Sequence, residues 1–179
     1  MVARFLLAVC MAGSLIAAMA CTPPGQGATH PSPTPSFVVT SPAPLSTWAK
    51  FDLGADRPHK TLADGLQITD IGSGSPSIAG TKDEVTVRYA IWLSDGTLID
   101  SRDAHSQPFQ FTLGIGFVIK GWDEGIQGMG VGGIRRLVVP PGLGYGEEGV
   151  ANSSGGYQIP PNATLVSVIW LVALSHRTG

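Results

Sequence analysis

Four histidines (His30, His59, His105, His176), two cysteines (Cys10, Cys21) and two pairs of adjacent carboxylates (Asp123-Glu124, Glu147-Glu148) are the residues best equipped for acid–base, nucleophilic or metal chemistry. Their spacing argues against it. The histidines and cysteines are scattered, without the short intervals that ligate a metal, so no metal is expected. Adjacent carboxylates on a helix or loop point apart and read as solvated surface. The run Gly128-Met-Gly130-Val-Gly132-Gly133 satisfies G-x-G-x-x-G. A dinucleotide site needs that pattern after a strand and at the start of a helix; here it follows a helical pattern and precedes a strand. No cofactor is expected, and no G-x-S-x-G elbow occurs. What remains is aromatic: Tyr89, Trp122 and Tyr145, with Asp100 as a nearby polar group. Singly, such aromatics mostly serve packing.

The elements that must position these residues are mostly strands. Val85, Val87, Tyr89, Ile91 and Leu93 recur with period two, one face of a strand over residues 84–93. Asp95-Gly96 signals a hairpin, residues 98–101 return, and Phe109, Phe111 and Leu113 alternate in a further strand. Residues 65–71, 134–139 and 163–174 complete the strand set. Over residues 117–126 the period changes: Val118, Ile119, Trp122 and Ile126 fall at helical spacing. A helix this short is marginal alone and must pack on a sheet. The sum is an α+β fold, an antiparallel sheet with one short helix against it.

The chain has 179 residues, 43% hydrophobic and only 13% charged, with 24 glycines and 14 prolines. That composition favours strands and turns over long helices. The net charge of −2 and the lack of a basic cluster exclude duplex nucleic acid as a partner. Residues 1–20 carry one charge, Arg4, then an apolar run closed by small residues, a secretory signal pattern too short for a permanent span. Ala18-Met19-Ala20-Cys21 resembles a bacterial lipobox, in which the cysteine is lipidated and becomes the mature N-terminus. Otherwise Cys21 would be a lone thiol in an oxidising compartment. Two acyl chains anchor firmly, at about 0.8 kcal/mol per buried methylene. The expected location is the extracytoplasmic face of the cell membrane; the alternative, an ordinary signal-peptidase site after Ala20, gives a soluble secreted protein. Residues 21–46 form a Pro-rich linker, 47–61 an N-terminal extension and 62–179 the folded domain.

Six segments, in order, resemble the FKBP-type peptidyl-prolyl isomerases: residues 87–89, 95–101, 108–114, 118–126, 140–146 and 159–166. The resemblance implies a twisted antiparallel half-barrel wrapped around the short helix, with an apolar proline pocket between them. It implies Trp122 as pocket floor and Tyr89, Phe109, Val118, Ile119 and Ile159 as walls. Asp100 would stand at the rim, while the Ile119 N–H and the Tyr145 hydroxyl would hold substrate carbonyls. It also implies proline-containing polypeptides as substrates, a monomer, and macrolides as inhibitors. Ile99 and Ser167 stand where the family places aromatic pocket residues, which predicts a wider, wetter pocket and reduced macrolide affinity. His105 aligns without a gap to the arginine the family pairs with the rim aspartate, whereas Arg102 reaches it only with a shift. Isomerisation of exported proteins is the expected function; a non-catalytic proline-binding or chaperone module is the alternative. On the last strand Val166, Val168, Trp170 and Val172 form an apolar stripe away from the helix, which predicts a cover from Trp48, Phe51 and Leu53.

Overall fold

The computed structural model describes residues 50–176; the leader, Cys21, the linker and Trp48 lie outside the described residues. The strands are β1 (Lys60–Thr61), β2 (Gln67–Gly72), β3 (Glu84–Leu93), β4 (Leu98–Arg102), β5 (Phe109–Thr112), β6 (Ile134–Val139), β7 (Val150–Ala151), β8 (Tyr157–Ile159) and β9 (Leu165–Ser175). The helix, α1, spans Lys120–Gly125. The main sheet runs β1-β2-β6-β9-β3-β4, with β5 also on β3, and its pairings are antiparallel. β7 and β8 form a separate hairpin. This is the α+β architecture anticipated from the strand periodicity.

β3 organises the sheet because Val85, Val87, Tyr89, Ile91 and Leu93 give it a continuous apolar inner face, while Ala90 and Trp92 join a second cluster on the outer one. Along one edge it pairs with β9 over its full length. Its other edge is shared: β5 pairs with Glu84–Val87 and β4 with Tyr89–Trp92. The chain leaves the sheet between Arg102 and Phe109, and Arg88 ties that excursion back through Nη1 to the Ser106 carbonyl at 3.1 Å. The β3–β4 turn is the expected Asp-Gly turn: Gly96 has φ +89°, and Asp95 Oδ1 accepts the Thr97 N–H at 2.8 Å.

Val85, Val87 and Tyr89 from β3, with Leu165, Ile169 and Leu171 from β9 and Leu137 and Val139 from β6, form the core against which α1 packs. The helix comes close because its sheet-facing residues are glycines. A Cβ at Gly121 would lie 2.5 Å from Val139 Cγ1, and one at Gly125 2.5 Å from Leu137 Cδ1. The helix has no basic residue in its last turn. Buried Arg135 of β6 supplies that cation, donating from Nη1 to the carbonyls of Gly125 (2.7 Å) and Gln127 (3.0 Å) and from Nε to Asp70 (2.7 Å).

The helical pattern expected from residue 117 begins only at Lys120. Ile119 is extended (φ −58°, ψ 146°), so Val118 and Ile119 precede the helix. The cause is Asp123, which is buried rather than solvated as its adjacency to Glu124 suggested. Its two carboxylate oxygens accept the N–H groups of Gly114 and Gly116, each at 2.8 Å, and pull the preceding loop over the helix start. The G-x-G-x-x-G run also has a structural purpose. A Cβ at Gly130 would lie 2.2 Å from the Ser75 carbonyl oxygen, so glycine there permits two backbones to cross.

On the opposite face of the sheet, Ala90, Trp92, Val168 and Trp170 form a second apolar cluster, with Phe51, Leu53, Ile134 and Val172 packed against it. Phe51 meets Trp92 edge to face at 6.2 Å. The N-terminal extension therefore covers the outer stripe of β9, as its exposed apolar pattern demanded.

Candidate active site

A cavity of about 560 Å³ opens between the inner face of β3–β5 and the start of α1. Trp122 lies at its base, only 4% exposed. Its ring meets Tyr89 edge to face at 5.0 Å and tilts against Phe111 at 6.5 Å. The Trp122 indole N–H donates to the Ser167 hydroxyl at 3.1 Å. The one polar atom of the indole is thus satisfied inside the protein, and its apolar face is left to the cavity.

The wall is aromatic on one side. Phe109 of β5 meets Tyr89 edge to face at 6.1 Å and stacks on both Phe111 (5.2 Å) and Phe117 (6.3 Å). Ile91, Ile99, Val118, Ile119, Val150 and Ile159 add aliphatic surface. Val150, Gln158 and Ile159 come from the β7–β8 hairpin or its ends, so the long 146–158 segment closes one side of the cavity.

The polar rim is set by strand pairing. In β3–β4, Ile91 opposes Asp100 and Tyr89 opposes Arg102. The Tyr89 hydroxyl donates to Asp100 Oδ2 at 2.6 Å, and Asp100 Oδ1 accepts the Ser101 N–H at 2.8 Å. Burial, and next the Asp100 carboxylate that accepts its proton, push the Tyr89 hydroxyl up to about 12, partly offset by the Arg102 guanidinium. Tyr145 lines the other side of the mouth, and burial followed by the Asp100 charge raises its hydroxyl too. Both phenols stay protonated at neutral pH and remain hydrogen-bond donors. Among the described residues the Ile119 N–H meets no backbone acceptor.

The fold thus gathers Tyr89, Asp100, Trp122 and Tyr145 around one cavity, together with Ile99, Phe109, Val118, Ile119 and Ile159. Ser167 is different. It is fully buried beneath Trp122 and does not line the cavity, because its hydroxyl is turned to the indole. The arginine beside the rim is Arg102, directly across from Tyr89, whereas His105 stays exposed with its backbone N–H on Asp103. Ile91, Gly116, Phe117, Val150 and Gln158 also line the cavity and were not anticipated. Only Ile91 carried a signal, as the next residue after Tyr89 on the same strand face.

The model of the FKBP-type peptidyl-prolyl cis-trans isomerase family matches residues 75–172. The FK506-binding protein of Neisseria meningitidis serogroup B is 46% identical over 108 residues, covering 60% of this chain and 94% of that protein. FK506-binding protein 1 of Dictyostelium discoideum is likewise 46% identical over 108 residues, with 60% and 96% covered. Among solved structures, AtFKBP13 superposes with a TM-score of 0.60 at 32% identity, covering 65% of this chain and 98% of that one. FkpA from Escherichia coli superposes at 0.58 and 33% identity, covering 68% of this chain and 54% of that one. An apolar cavity with an aromatic floor, on this sheet and within this sequence match, makes the chain a member of the FKBP-type peptidyl-prolyl cis-trans isomerases, enzymes of protein folding.

Proposed function

We propose that X–Pro bonds rotate in the cavity bounded by Tyr89, Asp100, Trp122 and Tyr145, and that the clients are exported proteins met at the extracytoplasmic face of a membrane. The barrier to X–Pro rotation is near 20 kcal/mol because the planar amide is resonance-stabilised. Rotation breaks that resonance and leaves the amide less dipolar. A dry aromatic site favours the twisted amide over the planar one, which is differential binding of the transition state. The proline ring rests on Trp122, Tyr145 offers its hydroxyl and Ile119 its N–H to carbonyls beside the proline, and Asp100 holds Tyr89 in place. Each tenfold in rate requires about 1.4 kcal/mol, a scale that desolvation and one or two oriented hydrogen bonds can supply.

The observation that carries the site reading is the 2.6 Å Tyr89–Asp100 hydrogen bond standing beside the Trp122 ring. It places a satisfied polar rim on an apolar floor with no nucleophile required. A proline-isomerisation assay on a short peptide tests it. Trp122→Ala is expected to lower kcat/KM by at least about tenfold and Asp100→Ala severalfold; unchanged rates would overturn the site.

Export and tethering rest on residues 1–46: the single-charge apolar leader, the lipobox-like Ala18-Met19-Ala20-Cys21 and the Pro-rich spacer. In a bacterial host the unaltered protein is expected in the detergent phase of a Triton X-114 partition and the Cys21→Ala protein in the aqueous phase. An unaltered protein found in the aqueous phase would favour the soluble secreted form. The relatives bear the name FK506-binding protein. With aliphatic Ile99 in the cavity wall, a macrolide is expected to bind this chain more weakly than it binds a fully aromatic pocket.

A further inference from the structure

A serine, a histidine and a buried aspartate meet at a place that takes no part in the cavity. Asp83 Oδ2 stands 3.0 Å from His176 Nδ1, and His176 Nε2 stands 3.4 Å from the Ser77 hydroxyl. None of the three lines the cavity. Asp83 precedes Tyr89 by six residues, about 20 Å along an extended strand. Ser77 and His176 are 99 residues apart, so no spacing in the sequence betrays them. Antiparallel pairing brings the ends together: Glu84 of β3 opposes Ser175 of β9, and the residues one step outside, Asp83 and His176, become neighbours. Ser77 arrives from the β2–β3 connection, held by an isolated bridge between Ile78 and Gly130.

The arrangement is fixed by its surroundings. Asp83 Oδ2 also accepts the Gly80 N–H at 2.8 Å, and Lys82 between them is held at φ +72°, a conformation lysine adopts only where its neighbours impose it. The Asp83 carboxylate takes the proton on His176 Nδ1, which leaves Nε2 as the acceptor facing the Ser77 hydroxyl. These are a nucleophile, a base and a group that orients the base. The Ser77–His176 contact is long, as such contacts are before a substrate tightens them. At the bridge, the Val131 N–H donates to the Ser77 carbonyl and the Ala79 N–H to the Met129 carbonyl. That antiparallel pattern turns the intervening Ile78 N–H away from Gly130, and among the described residues it meets no backbone acceptor. An amide directly after the nucleophile is where acyl-transfer sites draw an oxyanion donor.

We propose that Ser77 and His176, positioned by Asp83, form a second catalytic site that hydrolyses carboxylic esters with small acyl groups. Ser77 Oγ bonds to the acyl carbon as its proton passes to His176 Nε2, and the Ile78 N–H faces the oxyanion. The ester C–O bond then breaks, and the departing alcohol takes the proton from Nε2. Water adds to the acyl-serine and gives a proton to Nε2. The bond from the acyl carbon to Oγ breaks, Oγ recovers that proton, and the carboxylic acid leaves. The substrate class follows from the surroundings. Ile78 is 56% exposed and offers a short acyl group one apolar contact. The His176 side chain is 58% exposed, so water reaches the acyl-serine. A single oxyanion donor on an open surface suits an ester, whose alcohol departs readily, and not an amide, whose nitrogen must be protonated to leave.

The test is hydrolysis of p-nitrophenyl acetate by the chain from residue 21 onward, carrying Cys21→Ser so that no thiol competes. Ser77→Ala and His176→Gln are each expected to lower the rate by at least about tenfold, the lower end of what a positioned base supplies. His105→Gln, at an exposed histidine elsewhere, is expected to leave it unchanged. A fluorophosphonate probe is expected to label Ser77, as read by peptide mass spectrometry. Asp83→Asn is expected to lower the rate severalfold and to move the 15N shifts of the His176 ring, because an amide no longer selects the Nδ1 proton. Ser77→Ala is expected to keep its proline isomerisation, which shows that the fold is intact. Hydrolysis by Ser77→Ala at the unaltered rate would overturn the inference, because the histidines would then act without the serine. An unaltered protein no faster than buffer, or a probe found only on another residue, would overturn it as well.

Discussion

The indole N–H of Trp122 donates to the Ser167 hydroxyl across 3.1 Å, joining the helix to the first part of the longest strand, 45 residues apart in sequence. Ser167 is completely buried, so no water stands ready to replace it. Removing the hydroxyl leaves a buried donor unsatisfied, which costs about 1–3 kcal/mol. Ser167→Ala is expected to lower stability by that amount in urea denaturation. An unchanged midpoint would mean that the hydrogen bond contributes nothing.

The rim predicts a distinct alkaline behaviour. The Tyr89 hydroxyl titrates near 10 in an unfolded chain and is pushed up to about 12 in the fold. The folded state holds this proton more tightly, so the contribution is fully present below about pH 10 and is lost as pH rises from 10 toward 12. Tyr89→Phe removes the titrating group. The stability difference between the unaltered protein and Tyr89→Phe is expected to be constant through neutral pH and to shrink across that window. A difference that already changes between pH 6 and 9 would refute the assignment.

Gly121 and Gly125 permit the helix to touch β6. In an isolated helix alanine would gain about 1 kcal/mol over glycine. Here the added methyl would lie 2.5 Å from Leu137 Cδ1 at Gly125 and 2.5 Å from Val139 Cγ1 at Gly121. Overpacking of this kind costs about 1–3 kcal/mol and outweighs the propensity gain. Each Gly→Ala protein is expected to be less stable in thermal melts. It is also expected to have reduced kcat/KM, because any outward shift of the helix carries Trp122 with it. A stabilised Gly125→Ala protein would contradict the close approach.

The outer cluster predicts a loss of stability without loss of catalysis. Phe51 and Leu53 cover Trp92 and Trp170 on the sheet face away from the cavity. Phe51→Ala is expected to cost about 2 kcal/mol, less than a fully buried Phe because the ring is only partly enclosed. Deleting residues 22–55 is expected to lower Tm further and to leave kcat/KM at its original value. A fall in activity at temperatures where the deleted protein is folded would argue that the extension reaches the active site.

Much of this molecule is local and therefore legible in the amino-acid sequence. The two-residue period of Val85 to Leu93 places Tyr89 on the inner face whatever its partners. Asp95-Gly96 dictates a tight turn because glycine tolerates φ +89°. The apolar Val168/Trp170 stripe required a cover, and Phe51 and Leu53 provide it. The family resemblance likewise rested on runs of adjacent residues. Tertiary structure decided what depends on groups far apart in the chain. Ser167 became the partner of Trp122 rather than a cavity wall, because β9 passes beneath the helix. Arg102 rather than His105 reached the rim, because β4 register sets it opposite Tyr89. Asp123 became a clamp rather than solvated surface, and in shortening the helix it set Phe117 at the cavity mouth. Periodicity reports which face a residue takes. Only the packed sheet and helix determine which side chain from another element meets it there.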